Sequence, residues 1–187
     1  MGDSYGRVTV AAVQAAPVVL DRDATLAKLD ALVQAAADRG ARIIVLPEAF
    51  VPAYPIARHS LYESGERIHL TPTADASDGW QATLRHIALE GRVFVVGCCQ
   101  YLTRAMYPAD FELKEALARA PEVLCRGGSA IVAPDGRYLA GPLFGEEGIL
   151  TAELDLGEVA AARQLLDVAG HYARADVFKL LTAPFSH

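Results

Sequence analysis

The sequence predicts an α/β fold whose sheet is buried on both faces, and three observations support this prediction. A strand, an amphipathic helix and a second strand follow one another within residues 8–47, and the same order returns within residues 68–98. Such units pair their strands in parallel and cover the sheet with helices. Hydrophobic residues make up 52% of the 187 residues and charged residues 21%, which predicts a packed core.

Two short apolar strands begin and end the first unit. Residues 8–15 form the first strand, which ends at Pro17, and residues 42–46 form the second, which ends at Pro47. Both segments are short and apolar without polar alternation, as buried parallel strands are. Because the connection between them is helical, we expect the two strands to be parallel neighbours.

The helix of the first unit is predicted over residues 23–39. Asp23 is the expected N-cap, and Gly40 stands at the C′ position, where a left-handed residue ends many helices. One apolar stripe is expected to face the sheet, and it consists of Leu26, Leu29, Leu32, Val33 and Ala36.

The second unit begins after a short predicted helix over residues 57–65. Its three elements are a strand at 68–70 followed by a loop at 71–75, a helix at 79–90 closed by Gly91, and a buried strand at 92–98.

The remainder of the chain has a different, antiparallel character. Residues 103–127 are mixed, with a helix near 111–119. A Pro-Asp-Gly turn then joins two strands into a hairpin. The last predicted elements are the hairpin strands 128–133 and 137–143, a strand at 149–155 and a helix at 157–166. No linker or low-complexity segment interrupts the chain, so we expect one domain over residues 1–187.

Charge and cysteine content exclude several classes of protein. The net charge of −6 disfavours a general binder of nucleic acid. Three cysteines without a CxxC pair do not form a disulfide framework or a zinc site, and an odd count fits a reducing compartment. The five histidines show no metal-binding spacing, so no metal or cofactor is expected. Neither a leader nor a membrane-spanning run is visible, and the expectation is a soluble cytoplasmic protein.

Glu48 is the strongest candidate for chemistry. It directly follows a predicted buried strand, at the carboxyl edge of the sheet where α/β proteins build their sites. A carboxylate flanked by the aromatic side chains of Phe50 and Tyr54 would have a raised pKa and serve as a general base. The alternative interpretation is an ordinary glutamate of a surface loop.

Cys98 and Cys99 end another predicted strand at the same edge. Either thiol is a possible nucleophile there. The alternative is that each is a small hydrophobic residue finishing a core strand, which is common for free cysteine. The same two interpretations apply to Cys125.

Several segments resemble nitrilases of the carbon–nitrogen hydrolase superfamily. The resemblance begins with Val8 to Pro17 and Gly40 to Pro55, although Ala53 stands where the family pattern has glycine. It covers nearly the whole chain. Its later parts are the runs 57–65, 71–75, 80–91, 125–129, 139–142 and 170–174. The resemblance implies an α-β-β-α sandwich, a small-molecule nitrile as substrate and assembly into homo-oligomers.

The resemblance also exposes a missing block. The family uses a Glu base, a Lys in an Arg-Lys-Leu string and a Cys nucleophile in a Cys-Trp-Glu-Asn string. Glu48 matches the base, but neither string occurs here, and the lysines Lys28, Lys114 and Lys179 stand in other contexts. The sequence passes near Pro55 from the Glu motif to the segment that follows the Cys motif. We therefore expect an incomplete sandwich that lacks central strands and a helix near residue 55.

Three functional hypotheses follow from the missing block. In the first, the chain is a nitrilase by descent, converting nitrile and water to carboxylate and ammonia, and is inactive without its Lys and Cys. In the second, Cys98 or Cys99 substitutes as the nucleophile. In the third, the chain is a non-catalytic oligomerisation partner of an intact nitrilase. The remaining alternative is that the chain is an incomplete gene product without a function.

Overall fold

The computed structural model describes residues 6–19, 21–47 and 58–173, with the backbone alone at 58–60. Within these ranges the strands are β1 (Arg7–Gln14), β2 (Ile43–Val45), β3 (Ile68–Thr73), β4 (Phe94–Cys99), β5 (Tyr101–Thr103), β6 (Val123–Val132), β7 (Tyr138–Phe144) and β8 (Gly148–Asp155). The α-helices are α1 (Arg22–Asp38), α2 (Arg58–Glu63), α3 (Asp78–Gly91), α4 (Lys114–Arg119) and α5 (Gly157–Leu165).

The strands form two sheets. In the first sheet the order is β2–β1–β8, with β1 parallel to β2 and antiparallel to β8. In the second sheet β3 runs parallel to β4, and β6 is antiparallel to β4, β5 and β7. Both strand–helix–strand predictions are confirmed by the parallel pairs, and the predicted hairpin is confirmed by the pairing of β6 with β7.

The two sheets pack face to face, and a helix covers the outer face of each. Alternate residues of β1 point to opposite faces, so that Val10 and Ala12 meet Phe94 and Ile131 between the sheets. On the outer face of the first sheet, Leu29, Leu32 and Ala36 of α1 pack against β1. On the outer face of the second sheet, a larger group from α3 packs against β4 and β6, with Leu84, Ile87 and Ala88 at its centre. The predicted α-β-β-α sandwich is confirmed.

The sandwich has two sides that differ. Across the sheet interface, β2 packs against β4, β1 against β4 and β6, and β8 against β6 and β7. The edge strands β2 and β3 therefore lie on one side, called here the β2–β3 side, and β7 and β8 lie on the other, the β7–β8 side. On the β2–β3 side the second sheet extends one strand, β3, beyond the described strands of the first.

The β2–β3 side leaves apolar side chains of β3 uncovered. Ile68 and Leu70 are the parallel partners of Phe94 and Val96, and paired residues share a face of the sheet. Phe94 and Val96 are fully buried between the sheets, whereas Leu70 is 44% exposed and Ile68 only partly buried. Among the described residues, the face of β3 that points between the sheets therefore has no complete covering layer.

Strand β3 is longer than predicted. The expected loop at 71–75 begins as strand, and Pro72 pairs with Cys98 within it. Proline lacks the N–H that an inner strand must donate, so it is tolerated in strands at a sheet edge. Because β3 bonds to β4 on one side only, Pro72 costs no ladder hydrogen bond there.

Helix ends and faces differ from the prediction in four places. The N-cap of α1 is Asp21, whose carboxylate accepts a hydrogen bond from the Ala24 N–H at 2.9 Å, so Asp23 lies in the first turn instead. Leu26 and Val33 of the predicted stripe are exposed. In α3 the left-handed residue is Arg92 rather than Gly91, which remains helical.

Gly91 is required for a different reason from the one predicted. A Cβ atom at residue 91 would collide with the ring of Tyr62, which packs directly on the helix backbone. Glycine at this position therefore permits a close approach between α2 and α3.

Strand β6 also begins earlier than predicted, at Val123, because its first residues pair with β5, a short strand that the sequence pattern did not reveal.

Candidate active site

The carboxyl ends of three strands meet at one end of the sandwich. The thiol of Cys98, at the end of β4, donates to the carbonyl oxygen of Val13 at 2.7 Å and lies 3.3 Å from that of Val45. Val13 is near the end of β1, and Val45 is the last residue of β2. Glu48 itself lies outside the described residues, but the strand that leads to it ends at this edge of the sheets.

Cys98 is a core residue. Its side chain is fully buried between the two sheets, and burial raises the pKa of its thiol well above the usual range. The chemistry of a nucleophile requires the thiolate, which this environment strongly disfavours. The structure therefore favours the interpretation of Cys98 as a small hydrophobic residue that finishes its strand.

Cys99 and Cys125 form a pair of contacting thiols. Their Sγ atoms are 3.7 Å apart, although the two residues are separated by 26 positions in the chain. Cys99 is buried at the end of β4, and Cys125 is half-buried in β6. The carbonyl oxygens of Asp75 and Gln100 lie next to them, 3.6 Å from Cys99 Sγ and 3.0 Å from Cys125 Sγ respectively.

The two thiols have opposite acidities. The hydrogen-bonding contact with the Cys99 thiol lowers the pKa of Cys125 to about 6, and the backbone of Gly127 adds to this shift, against burial and the nearby charge of Asp75. The same contact with Cys125, together with burial, raises the pKa of Cys99 far above its usual range. Cys125 is therefore the more acidic of the two thiols, and burial favours the protonated form of Cys99.

The amide of Gln14 fixes the strands around this pair. Its side chain is fully buried, and its Oε1 accepts hydrogen bonds from the backbone N–H groups of Gly128 at 3.0 Å and Ser129 at 2.9 Å. Its Nε2 donates to the carbonyl of Glu146 at 2.6 Å. Gly127 has φ +88°, and a Cβ there would collide with this amide. Gly127, the first residue of the Gly-Gly pair, therefore permits the close approach of Gln14.

Ser129 connects the Gln14 amide to the end of β4. Its hydroxyl accepts from the Cys99 backbone N–H at 2.9 Å and lies 3.3 Å from the Cys99 carbonyl oxygen. Both bonds are buried. The backbone that carries Cys99 is thereby held against β6, the strand that carries Cys125.

The lysines of the described chain occupy surface roles. Lys28 of α1 binds Glu147 at 2.6 Å, and the same carboxylate oxygen accepts from the Ala16 N–H at 2.9 Å. Lys114 lines a shallow surface cleft of about 320 Å³ beside Arg104 and Glu122. Lys179 lies outside the described residues. Neither described lysine contacts the thiol pair.

The described ranges contain neither a metal-ligand cluster nor a helix that could span a membrane. These residues contain no cluster of three or more His, Cys, Asp or Glu side chains that would hold a metal ion. His69 instead bonds to Glu66 at 3.0 Å, and His86 is an exposed residue of α3. None of the described helices is both long and apolar enough to cross a bilayer.

The pairing of Cys99 with Cys125 is the feature that the sequence did not reveal. Spacing gives no sign of it, since the two residues come from different strands with a short strand and a helix between them. The single available signal was that each cysteine ends or flanks a strand near the predicted active edge. The sequence left Cys98, Cys99 and Cys125 each as a possible nucleophile or a small core residue, and the structure makes Cys125 the more acidic and the less buried member of the thiol pair.

Fold and sequence together define the class of this protein as a carbon–nitrogen hydrolase. The family model described as carbon-nitrogen hydrolase matches residues 9–75 and 53–164, in two overlapping segments. The chain belongs to the carbon–nitrogen hydrolase family, as its resemblance to nitrilases indicated.

Its similar curated relatives are nitrilases. An arylacetonitrilase of Trametes versicolor is 48% identical over 126 residues, which are 67% of this chain and 39% of the relative. An aliphatic nitrilase of Sinorhizobium fredii is 49% identical over 128 residues, 68% of this chain and 41% of the relative. The chain thus matches about two fifths of the length of these relatives.

Solved structures of the superfamily share the fold. The NitFhit protein of C. elegans superposes with a TM-score of 0.64 at 13% identity, covering 95% of this chain and 67% of its own. Nit3 of Saccharomyces cerevisiae, described as a member of branch 10 of the nitrilase superfamily, gives a TM-score of 0.62 at 14% identity, covering 91% and 98%. At such identities the likeness supports the fold alone.

Proposed function

We propose that this chain is a nitrilase that retains the general-base half of its site, Glu48, and has lost the half that carries the nucleophile. The reaction it descends from adds two waters to a nitrile and yields a carboxylate and ammonia. In this proposal the 187-residue form hydrolyses nitriles at a negligible rate. The cytoplasm remains its proposed location, since its three described thiols are free.

The observation that carries the proposal is the uncovered face of β3. The jump in the family pattern near residue 55 falls between β2 and β3, and each of these is the last strand of its sheet on the same side. Additional strands would join both sheets there without breaking any existing pair. Leu70, at 44% exposure beside the buried Val96, marks the place where a covering strand is lacking.

The family match supports the same interpretation. The family model matches this chain in two segments that overlap at residues 53–75, and a break in the family pattern near residue 55 accounts for this division. The relatives are named as nitrilases, and their names supply the proposed substrate class, a small-molecule nitrile. One structural neighbour, the amidase of Nesterenkonia, is described as having an active-site cysteine.

Loss of the nucleophile explains the expected inactivity. Nitrile hydrolysis needs a thiolate that attacks the nitrile carbon to give a thioimidate, and then water that releases ammonia and the acid. Glu48 would take the proton of the thiol and later that of the water. Groups of this kind act as a unit, so a base without its nucleophile contributes little to the rate.

The described thiols do not restore the missing nucleophile. Cys98 and Cys99 are buried and protonated. Cys125 has a lowered pKa, but its sulfur is turned toward Cys99 and the carbonyl of Gln100. The hypothesis of a substitute nucleophile at Cys98 or Cys99 therefore loses support from the geometry.

The test is ammonia release from aliphatic and aromatic nitriles by the purified full chain, after circular dichroism has shown that it is folded. The aliphatic nitrilase of Sinorhizobium fredii serves as the positive control under the same conditions. We expect the chain and its Glu48→Gln variant to give the same background rate. Release that Glu48→Gln abolishes would overturn the proposal, and release abolished by Cys99→Ser would instead establish a substitute nucleophile.

A second candidate function is that of a non-catalytic partner for an intact nitrilase. The open β2–β3 side favours it, because unpaired strand edges and exposed apolar residues bind further strands. Co-expression with the Sinorhizobium fredii nitrilase, followed by size-exclusion chromatography, tests this candidate. A mixed oligomer that Leu70→Lys weakens supports it, and separate elution of the two proteins rejects it. The same column tests the proposed homo-oligomer.

A further inference from the structure

We propose that Cys125 is a site of reversible oxidation by hydroperoxides and that Cys99 is its resolving partner, so that the two residues form a disulfide between β6 and β4. This property is independent of nitrile hydrolysis, and it does not require Glu48 or any residue of the missing block. The pair lies at the carboxyl edge of the sheets, where the described strands β3 and β4 end.

The geometry already brings the two sulfur atoms into contact. Their separation is 3.7 Å, and a disulfide needs about 2.05 Å, so the sulfurs must approach by about 1.7 Å. The proposal requires that rotation about the side-chain bonds of the two cysteines supply this displacement. The buried hydrogen bonds of Ser129 to the Cys99 backbone hold that strand end in place during the approach.

The two thiols have the complementary properties that the reaction requires. Cys125 is half-buried, so that a small oxidant reaches it, and its lowered pKa favours the thiolate that reacts with the oxidant. Cys99 is buried and protonated, so that it meets the oxidant less readily. It nevertheless lies next to the Cys125 sulfur, on which the sulfenic acid forms. Redox-sensing cysteines are accessible, acidic and placed next to a second cysteine in this way.

The reaction balances in two steps. The Cys125 thiolate attacks one oxygen of the hydroperoxide, the O–O bond breaks, and the products are the Cys125 sulfenic acid and hydroxide, or alkoxide from an alkyl hydroperoxide. The sulfur of Cys99 then attacks the Cys125 sulfur as its proton passes to the departing hydroxyl, and water leaves. The two cysteines lose two electrons in all, and the hydroperoxide gains them.

Cys98 supplies a matched internal control. It is adjacent to Cys99 in sequence and equally a free thiol, but its sulfur points between the sheets toward Val13. If chain proximity decided the pairing, Cys98 and Cys99 would be expected to react together. If the folded structure decides it, Cys99 pairs with Cys125 and Cys98 remains reduced.

The experiment is oxidation of the reduced full chain by hydrogen peroxide at neutral pH, with free thiols then blocked under denaturing conditions and the peptides mapped by mass spectrometry. The expected product is a chain lighter by two hydrogen atoms with one Cys99–Cys125 cross-link, which a thiol reductant reverses. In the Cys99→Ser variant the sulfenic acid of Cys125 should persist and react with dimedone. Cys125→Ser should abolish the cross-link, and Cys98→Ala should leave it unchanged.

Three results would overturn the proposal. They are oxidation of Cys99 before Cys125, a predominant disulfide between two chains, and a mixture of all pairings. The same treatment in concentrated urea serves as the control for the folded state, since there the preference for Cys99–Cys125 should disappear. Because the cross-link is mapped in the unmodified chain, the conclusion does not depend on whether each variant folds.

Discussion

The β7–β8 side and the β2–β3 side of the sandwich contain edge strands of the same two sheets, yet they differ in how well these strands are covered. On the β7–β8 side, consecutive strands pass from one sheet to the other, and Leu139 and Leu150 are partly buried against the core, while the end of β7 leaves Phe144 38% exposed. On the β2–β3 side, Leu70 remains 44% exposed. The proposed function assigns the absent strands to the β2–β3 side, and this difference in exposure agrees with that assignment.

This comparison separates the stability of the fold from its catalytic activity. The centre of the sandwich contains β1, β4 and β6, whose residues are buried on both faces. The family's Lys and Cys strings, in contrast, are expected in the block between β2 and β3. A chain can therefore retain a core that defines the family and lose the chemistry, provided that the remaining core is stable enough.

The largest effect on the free energy of unfolding should come from β4, the strand next to β3 whose inward-facing side chains are fully covered. Phe94→Ala removes a fully buried ring and should lower the free energy of unfolding by about 3–5 kcal/mol. Its parallel partner Ile68 is only partly buried, so Ile68→Ala should cost less than about 2 kcal/mol. Urea titration followed by circular dichroism measures both values. Equal losses at the two positions would mean that β3 is covered after all.

The next effect is a difference in thiol reactivity between the centre and the end of the sandwich. Iodoacetamide should label Cys125 at least about 100-fold faster than the buried Cys98 at pH 7. The rate at Cys125 should rise with pH around its pKa of about 6, because deprotonation creates the nucleophile, and should level off above it. Asp75 is the charged group that opposes this ionisation. A titration midpoint near that of an ordinary thiol would contradict the prediction.

A smaller effect should come from Gln14, which secures the β7–β8 side through its bond to Glu146. Gln14→Leu keeps the bulk of the side chain but leaves the buried N–H groups of Gly128 and Ser129 without their acceptor, which should cost about 2–3 kcal/mol. Gln34→Leu is the matched control, because Gln34 is exposed on α1 and bonds only to Asp38. Urea denaturation of the two variants makes the comparison, and equal midpoints would mean that the buried amide is dispensable.

The sequence predicted most of the fold because its signals are local. Strand–helix–strand order and the proline stops are sufficient to predict the parallel pairs β1–β2 and β3–β4. The edge position of β3 was not predictable in the same way, since Pro72 suggested a loop until its neighbours were known. The exposure of Leu70 depends on which strand lies across from it in the other sheet, and no local pattern contains that information.

The site was predictable in its position and not in its detail. Glu48 as a base stays a prediction, since it lies outside the described residues. The acidity of Cys125 depends on Cys99, a residue 26 positions away that contacts it only in the folded chain. Composition and spacing identify thiols, whereas the contacts that decide their protonation belong to tertiary structure.

The smallest effect on stability, and a clear one on association, should come from Leu70→Lys. Leu70 is already 44% exposed on an edge strand, so its replacement should change the free energy of unfolding by less than about 0.5 kcal/mol. A lysine on an edge strand opposes further strand pairing, because its charge would have to be buried. The variant should therefore self-associate less at high protein concentration, measured by light scattering. Leu89→Lys is the matched control, since Leu89 is similarly exposed, at 37%, but lies on α3 away from a sheet edge. If the parent chain and the two variants self-associate to the same extent, the β2–β3 side is not the surface through which this protein associates.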